Sequence, residues 1–274
     1  MEHLLVLDIE TVPDDSAAYG LTGISSDDIH QRRQLMEEYH LKATDGKNPF
    51  LRQPFHKVIT IGMVKAHIDY TADGEAYRLE EVRCGGEVDS SEEQLLKGFF
   101  AYAGKLRPRL VTFNGRGFDV PVLKYRAMKH GIRASWLYQS GDKWNNYQSR
   151  YSADWHCDLL EVLSDYGASA RIRLNEVCAI FGLPGKFGPD GSDVMPMYDR
   201  GEMEAIRDYC ETDVLNTYLV YLRHALHTGR TSAKLHDDAV EQVRQWLATH
   251  GEHKQVYKDF LEAWQQAGQI ELVS

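Results

Sequence analysis

The run His3-Leu4-Leu5-Val6-Leu7 constrains the fold more than any other stretch of this chain. From Leu4 to Leu7 it has no polar face, so it reads as a strand buried on both sides. Such a strand needs other elements packed on both faces of its sheet, which points to a layered α/β domain. Asp8 and Glu10 close the run. Residues i and i+2 of a strand project from the same face, so these two carboxylates stand together while Ile9 faces the other way. Like charges that close raise each other's pKa unless a cation joins them. An ordinary polar strand end has the same spacing, so the pair decides nothing alone.

The rest of the chain supplies the other layers. Residues 14–55 are polar and read as an insertion, with a helix predicted over Ser26–His40 and Ser25 or Ser26 as its cap. Lys57–His67 and Ala76–Cys84 are predicted strands, joined by a turn at Ala72-Asp73-Gly74-Glu75. Ser90 or Ser91 is expected to cap a helix that runs to about Leu106, and Ser91 with Gln94 has capping-box spacing. Arg109–Phe113 is a fourth predicted strand and Asp119–Gly131 a helix. Trp155–Leu163 holds either a short fifth strand or a helix start. Leu174–Phe181 is a predicted helix ended by Gly182 and Pro184. Lys186–Pro196, rich in glycine and proline, is a predicted loop, and 201–226 a long helix. After Thr228-Gly229-Arg230 come one or two amphipathic helices, with Val240, Val243, Trp246 and Leu247 on one side. This order suggests an α/β fold, a mixed sheet with helices on its faces. The expected division is 1–226 for the main domain and 227–274 for a helical C-terminal extension.

Two further stretches carry chemistry. In Phe113-Asn114-Gly115-Arg116-Gly117-Phe118-Asp119, a strand hands over to a helix beside a carboxylate. A dinucleotide loop of the form G-x-G-x-x-G would need glycine at position 120, which is Val120, so that reading fails. Asp119 at a helix start is otherwise a favourable cap. In Tyr209-Cys210-Glu211-Thr212-Asp213, the phenol and the second carboxylate lie one helical turn apart on one face. Asp213 lies among Cys210, Leu215 and Asn216, and a buried carboxylate needs a partner.

Taken in order, D-x-E on the first strand, N-x(4)-D after a later strand and Y-x(3)-D in a late helix resemble the three motifs of the DEDDy 3′–5′ exonucleases. Those enzymes have a ribonuclease H-like fold. The phrases LDIETVPD, FNGRGFDVPVL, DLLEVLSDYG and YCETDVLNTYLVYLR are similar to stand-alone exonucleases related to the proofreading domain of family-B DNA polymerases. The resemblance covers about residues 1–226. It implies a ribonuclease H-like five-stranded sheet and a two-metal-ion 3′–5′ exonuclease. Its acidic ligands would be Asp8, Glu10, Asp119 and Asp213, its catalytic tyrosine Tyr209, and its cations Mg²⁺ or Mn²⁺. Asp8 would bridge both ions, Glu10 and Asp213 would hold the one that activates water, and Asp119 would help hold the other. Thr11 and Asn114 would contact the substrate. Asp158 is not carried over, because a structural role explains it equally well.

A net charge of −10 argues against a bulk nucleic-acid binder. Bound divalent cations would offset it, and Arg116, Lys124, Arg126, Lys129 and Arg133 form a local basic run that is either a footprint or a solvated face. Trp136, Tyr138, Trp144, Tyr147 and Tyr151, interleaved with Lys143 and Arg150, form either a strand-gripping loop with Trp144 as a contact or a satellite apolar cluster. The expected partner is the 3′ end of single-stranded DNA, with RNA and a binding module on the same fold as alternatives. Cys84, Cys157, Cys178 and Cys210 are too scattered for a zinc site or a disulfide framework. No stretch approaches the ~20 apolar residues of a membrane span, and the N-terminus lacks a secretory pattern, so a cytoplasmic protein with no membrane partner is expected.

Overall fold

The computed structural model describes residues 1–186 and 191–270. The expected loop at 186–196 therefore lies partly outside the described residues, as does the end of the chain. Strand β1 (His3–Pro13) is followed by α1 (Ala18–Thr22) and α2 (Ile29–Ala43) in the insertion. Then come β2 (His56–Thr71), β3 (Gly74–Cys84), α3 (Glu92–Leu106), β4 (Arg109–Thr112), α4 (Asp119–Lys129), α5 (Ser135–Tyr138) and β5 (His156–Asp158). The remainder is helical: α6 (Leu159–Leu163), α7 (Leu174–Phe181), α8 (Val194–Asp199), α9 (Met203–His227), α10 (Ala233–Gly251) and α11 (Gln255–Ile270).

The five strands form one mixed sheet in the order β3-β2-β1-β4-β5. β2 is antiparallel to β1 and β3, while β4 runs parallel to β1 and β5 parallel to β4. This is the ribonuclease H-like arrangement, with β1 at the centre. Its alternation divides the core. Leu4 and Val6 pack on the side that carries α9 and α10, with Val214, Tyr218, Val243 and Phe260. Leu5, Leu7 and Ile9 pack on the other side against α3 and α4, with Leu96, Phe100 and Leu123. The stripe on α10 is packed within the molecule: Val243 and Leu247 are fully buried, and α10 contacts β3, α9 and α11.

Several boundaries differ from the sequence expectations, each for a local reason. β1 does not stop at Asp8 and Glu10. It stays paired with β2 to Pro13, shifting register between Glu10 and Thr11. The helix expected at Ser26 starts at Ile29, because Asp28 rather than a serine caps it, accepting from His30 N at 2.9 Å. Residues 155–163 hold both alternatives in succession, a three-residue strand and then a helix capped by Asp158. Inside the expected loop, α8 forms from Val194, with Val194 and Met197 buried beside Val12 and Ile206.

A buried ionic network ties the insertion to the sheet. Arg126 is fully buried and donates to both oxygens of Glu92 at 2.7 and 2.6 Å, to Asp14 Oδ2 at 2.6 Å and to the Pro54 carbonyl at 3.2 Å. Burial pushes the Asp14 and Glu92 carboxyls up, but their bonds outweigh it and hold both below the ordinary carboxylate range. For Asp14 these are bonds from Lys129, Ser16 and Arg126, and for Glu92 from Arg126, His130 and the Val58 N–H. A carboxylate with a depressed folded pKa stabilises above its unfolded pKa and loses that stabilisation as pH falls through the folded value. The melting temperature is thus expected to fall steeply below about pH 4. Thermal unfolding followed by circular dichroism from pH 4.5 to 2.5 checks this, and a flat profile would contradict it.

Candidate active site

β4 pairs with β1 only as far as Val6, through Val111. Beyond that point β1 projects with one edge open, and the chemistry gathers there. The first turn of α4 covers that edge: Asp119 Oδ1 accepts from Ile9 N at 3.1 Å, taking the N–H that β4 no longer reaches. Asp119 is therefore neither a surface residue nor the helix cap, since Phe118 holds the cap position. It is buried and locked to the backbone between Asp8 and Glu10.

The turn before α4 is organised from below by Asp158. Its carboxylate accepts from Asn114 N at 2.9 Å, Arg116 N at 2.8 Å and Leu160 N at 3.1 Å. Asn114, not either glycine, takes the left-handed backbone, with φ of 66°. Gly115 is required for packing rather than for a ligand: a Cβ there would lie 2.4 Å from Thr112 Cβ. Part of the local basic run is engaged within the protein, while Lys129 and Arg133 are exposed. Arg116 donates to the carbonyls of Tyr147, Ser149 and His156, while Arg126 and Lys129 bind Glu92 or Asp14.

Helix α9 brings the remaining groups, and Gly62 of β2 allows its approach. A Cβ at Gly62 would sit 2.7 Å from Cys210 Sγ. Cys210 in turn lies 3.7 Å from Asp8 Oδ2. One ligand atom each from Asp8, Glu10 and Cys210 falls within a 4.8 Å cluster. Asp213 and Tyr209, one turn apart, face the same carboxylates. Burial and then the charge of Asp119 push Asp8 up, with Glu10 and Asp213 adding to it. Burial and then Asp213 do the same to Glu10. Burial raises Asp119 to about 7 and raises Asp213 as well. Tyr209 is pushed up by burial and by the charges of Asp213, Glu10 and Asp8, so its phenol keeps its proton.

Four carboxylates thus converge, and their donor set suits a hard divalent cation. Among the described residues Asp213 Oδ1 is buried without a hydrogen-bond partner, an acceptor that a cation would satisfy. Lys186 is a cation that faces the group: its Nζ donates to the Tyr209 hydroxyl and lies 3.8 Å from Asp213 Oδ2. A cleft of about 600 Å³ opens beside them, lined by Asp8, Asn114, Arg171, Arg173, Lys186 and Asp213 among others. Sequence reasoning missed Cys210, although it shares a helix face with Asp213. It also missed Lys186, Arg171 and Arg173, which lie in irregular or terminal segments without periodicity.

Trp144 is not part of this assembly. It is 73 % exposed, lines neither of the two clefts that meet at the carboxylates, and carries Lys143 Nζ 4.8 Å above its ring. The aromatic span around it divides. Trp136 and Tyr147 are core residues in edge contact with each other, and Tyr147 also with Trp155, whereas Trp144 and Tyr151 are exposed.

If cations bind at the carboxylates, they also relieve repulsion there. Asp8→Asn is expected to raise the melting temperature in EDTA and to shrink the rise that Mn²⁺ gives the unmodified protein. A ligand at a hundred times its Kd adds about 2.7 kcal/mol, which is roughly 5–10 °C for a chain of this size. Differential scanning fluorimetry checks both, and an Mn²⁺ shift equal in the two proteins would contradict the assignment.

The family described as predicted 3′–5′ exonucleases related to the exonuclease domain of PolB matches residues 48–264. That span excludes Asp8, Glu10 and Thr11. Among solved structures, the family B DNA polymerase of the hyperthermophilic archaeon Pyrobaculum calidifontis aligns with 92% of this chain at 16% identity and a TM-score of 0.44. The chain spans 29% of that polymerase's length. No curated protein sequence matches. No helix among the described residues is long and apolar enough to cross a membrane.

Proposed function

The chain belongs to the family of predicted 3′–5′ exonucleases related to the exonuclease domain of PolB, and on that premise we propose that it removes nucleotides from the 3′ end of single-stranded DNA with two bound divalent cations, Mg²⁺ or Mn²⁺. The observation that carries this reading is the convergence of Asp8, Glu10, Asp119 and Asp213 at the open edge of β1, with one buried Asp213 oxygen left unpartnered among the described residues. These four side chains would hold the ions, which when bound supply an activated water and relieve charge on the leaving oxygen.

The chain's own residues do the rest. Tyr209 keeps its proton at neutral pH and so acts as a hydrogen-bond donor that orients the attacking water, not as a base. Lys186, beside Tyr209 and Asp213, offers a positive charge to the scissile phosphate. Arg171 and Arg173 line the same cleft and favour the backbone of the strand leading into it. Asn114, in its left-handed turn, accepts from the Gly117 and Phe118 N–H groups and so shapes the turn that leads to Asp119.

Tyr209→Phe is expected to lower kcat about a hundredfold, the low end for a positioned proton-handling group, with little change in KM. Single-turnover kinetics checks this, and an unchanged rate would remove Tyr209 from the mechanism. The reading as a whole is tested with a 5′-labelled single-stranded DNA in Mg²⁺, Mn²⁺ or EDTA, beside a matching RNA. A ladder that shortens from the 3′ end and vanishes in EDTA supports it, and the DNA-to-RNA rate ratio fixes the substrate. No cleavage of either strand with any cation would replace it with a nucleic-acid binding role.

A further inference from the structure

The cationic cleft continues onto the surface through one ionic cluster. Arg171 lines the cleft, and its Nη2 donates to Glu161 Oε1 at 2.6 Å. The other Glu161 oxygen accepts from Arg150 Nε. Glu161 is buried, whereas the Arg150 and Arg171 side chains are about half exposed. Two guanidiniums share one carboxylate, so the cluster keeps a net positive charge on a chain whose net charge is −10.

An aromatic pair stands beyond Arg150. Arg150 Nη2 donates to the Tyr166 carbonyl at 3.0 Å. Its guanidinium carbon lies 5.9 Å from the ring centres of both Tyr151 and Tyr166, within reach of a cation–π attraction. The two rings meet edge to face, with centroids 4.7 Å apart. Tyr151 is 71 % exposed, and Tyr166 is half-buried. Asp165 and Tyr166 both hold left-handed backbone, with φ of 49° and 56°, which residues other than glycine seldom adopt. The pair is thus fastened to the cationic cluster rather than sunk into a core.

Cations followed by exposed rings match a single strand of nucleic acid. The cations meet its phosphates, and the rings take its bases whatever their sequence. Continuity with the cleft favours the strand itself as the occupant over a separate partner. We propose that Tyr151 and Tyr166 form a stacking platform for a base of the single strand several nucleotides 5′ of the end being removed, with Arg150 and Arg171 holding the phosphates between. The proposal rests on the exonuclease reading for the identity of its ligand. It implies that long strands are held more tightly than short ones, without regard to sequence.

The test uses 5′-fluorescent single-stranded DNAs that share one 3′ end and lengthen by a nucleotide at a time. Binding is read by anisotropy with Ca²⁺ as the added cation, and turnover separately with Mg²⁺. In the unmodified protein, affinity should rise in a step at the length that reaches the platform. Tyr151→Ala should lower the long-to-short affinity ratio about tenfold, near the low end for one stacked base. Tyr151→Phe, which keeps the ring, should retain the ratio. A second series walks 2-aminopurine along a long strand. Its fluorescence should be quenched at an internal position, and Tyr151→Ala should relieve the quenching there but not at the 3′ end. An undiminished ratio in Tyr151→Ala overturns the proposal. So does the absence of a quenched internal position in the unmodified protein, which needs no variant to fold. A length step without turnover would sink the exonuclease reading and leave the platform standing. Turnover without a length step would do the reverse.

Discussion

Asp8→Ala is expected to reduce 3′-end degradation by well over a hundredfold while leaving the fold intact. Loss of groups that only orient a metal's ligands costs about 10- to 100-fold, and Asp8 stands closer than that. It is half-buried at the open edge of β1, within ligand distance of Glu10, and electrostatically in contact with Asp119 and Asp213. The fold should survive, since the substitution removes a charge that its neighbours repel. Quantitative gel analysis of the labelled strand, with circular dichroism on the same preparation, checks both halves. A variant within tenfold of the unmodified rate would remove Asp8 from the site.

Arg126→Ala is expected to destabilise the protein by about 3–5 kcal/mol, the cost of stripping one partner from a buried ion pair. The substitution would leave Glu92 with only the Val58 N–H and His130, and Asp14 with Lys129 and Ser16. Because Arg126 also holds the Pro54 carbonyl, the loss should loosen the insertion and the start of β2 together. Urea unfolding measures the first effect. Hydrogen exchange at residues 51–60 measures the second. A loss below 1 kcal/mol would mean that the network is dispensable.

Local signals in the sequence carried much of the fold. The capping box at Ser91 and Gln94 forms as its spacing predicts, and the unbroken apolar run of β1 does occupy the sheet centre. What misled was chemistry that resembles a terminus. Two acids looked like a strand end, yet β1 continues because β2 still pairs with it and the register shift absorbs the distortion. The proline and glycine content around 186–196 hid α8, whose helix is decided by burial against Val12 and Ile206. At the site, D-x-E and Y-x(3)-D could be placed on their faces from periodicity alone. Their convergence could not, since it depends on Gly62 admitting α9 and on Asp119 replacing a ladder bond at Ile9. Lys186 meets Tyr209 through a contact between segments apart in the chain, which no local pattern records.

The central claim is that four carboxylates from β1, α4 and α9 form one cation site. Isothermal titration with Mn²⁺, run on the unmodified protein and on Asp8→Ala, tests it most directly. Two ions bound to the former, with weakened or lost binding in the latter, is the predicted result. No Mn²⁺ binding, or binding that Asp8→Ala leaves unchanged, would contradict it.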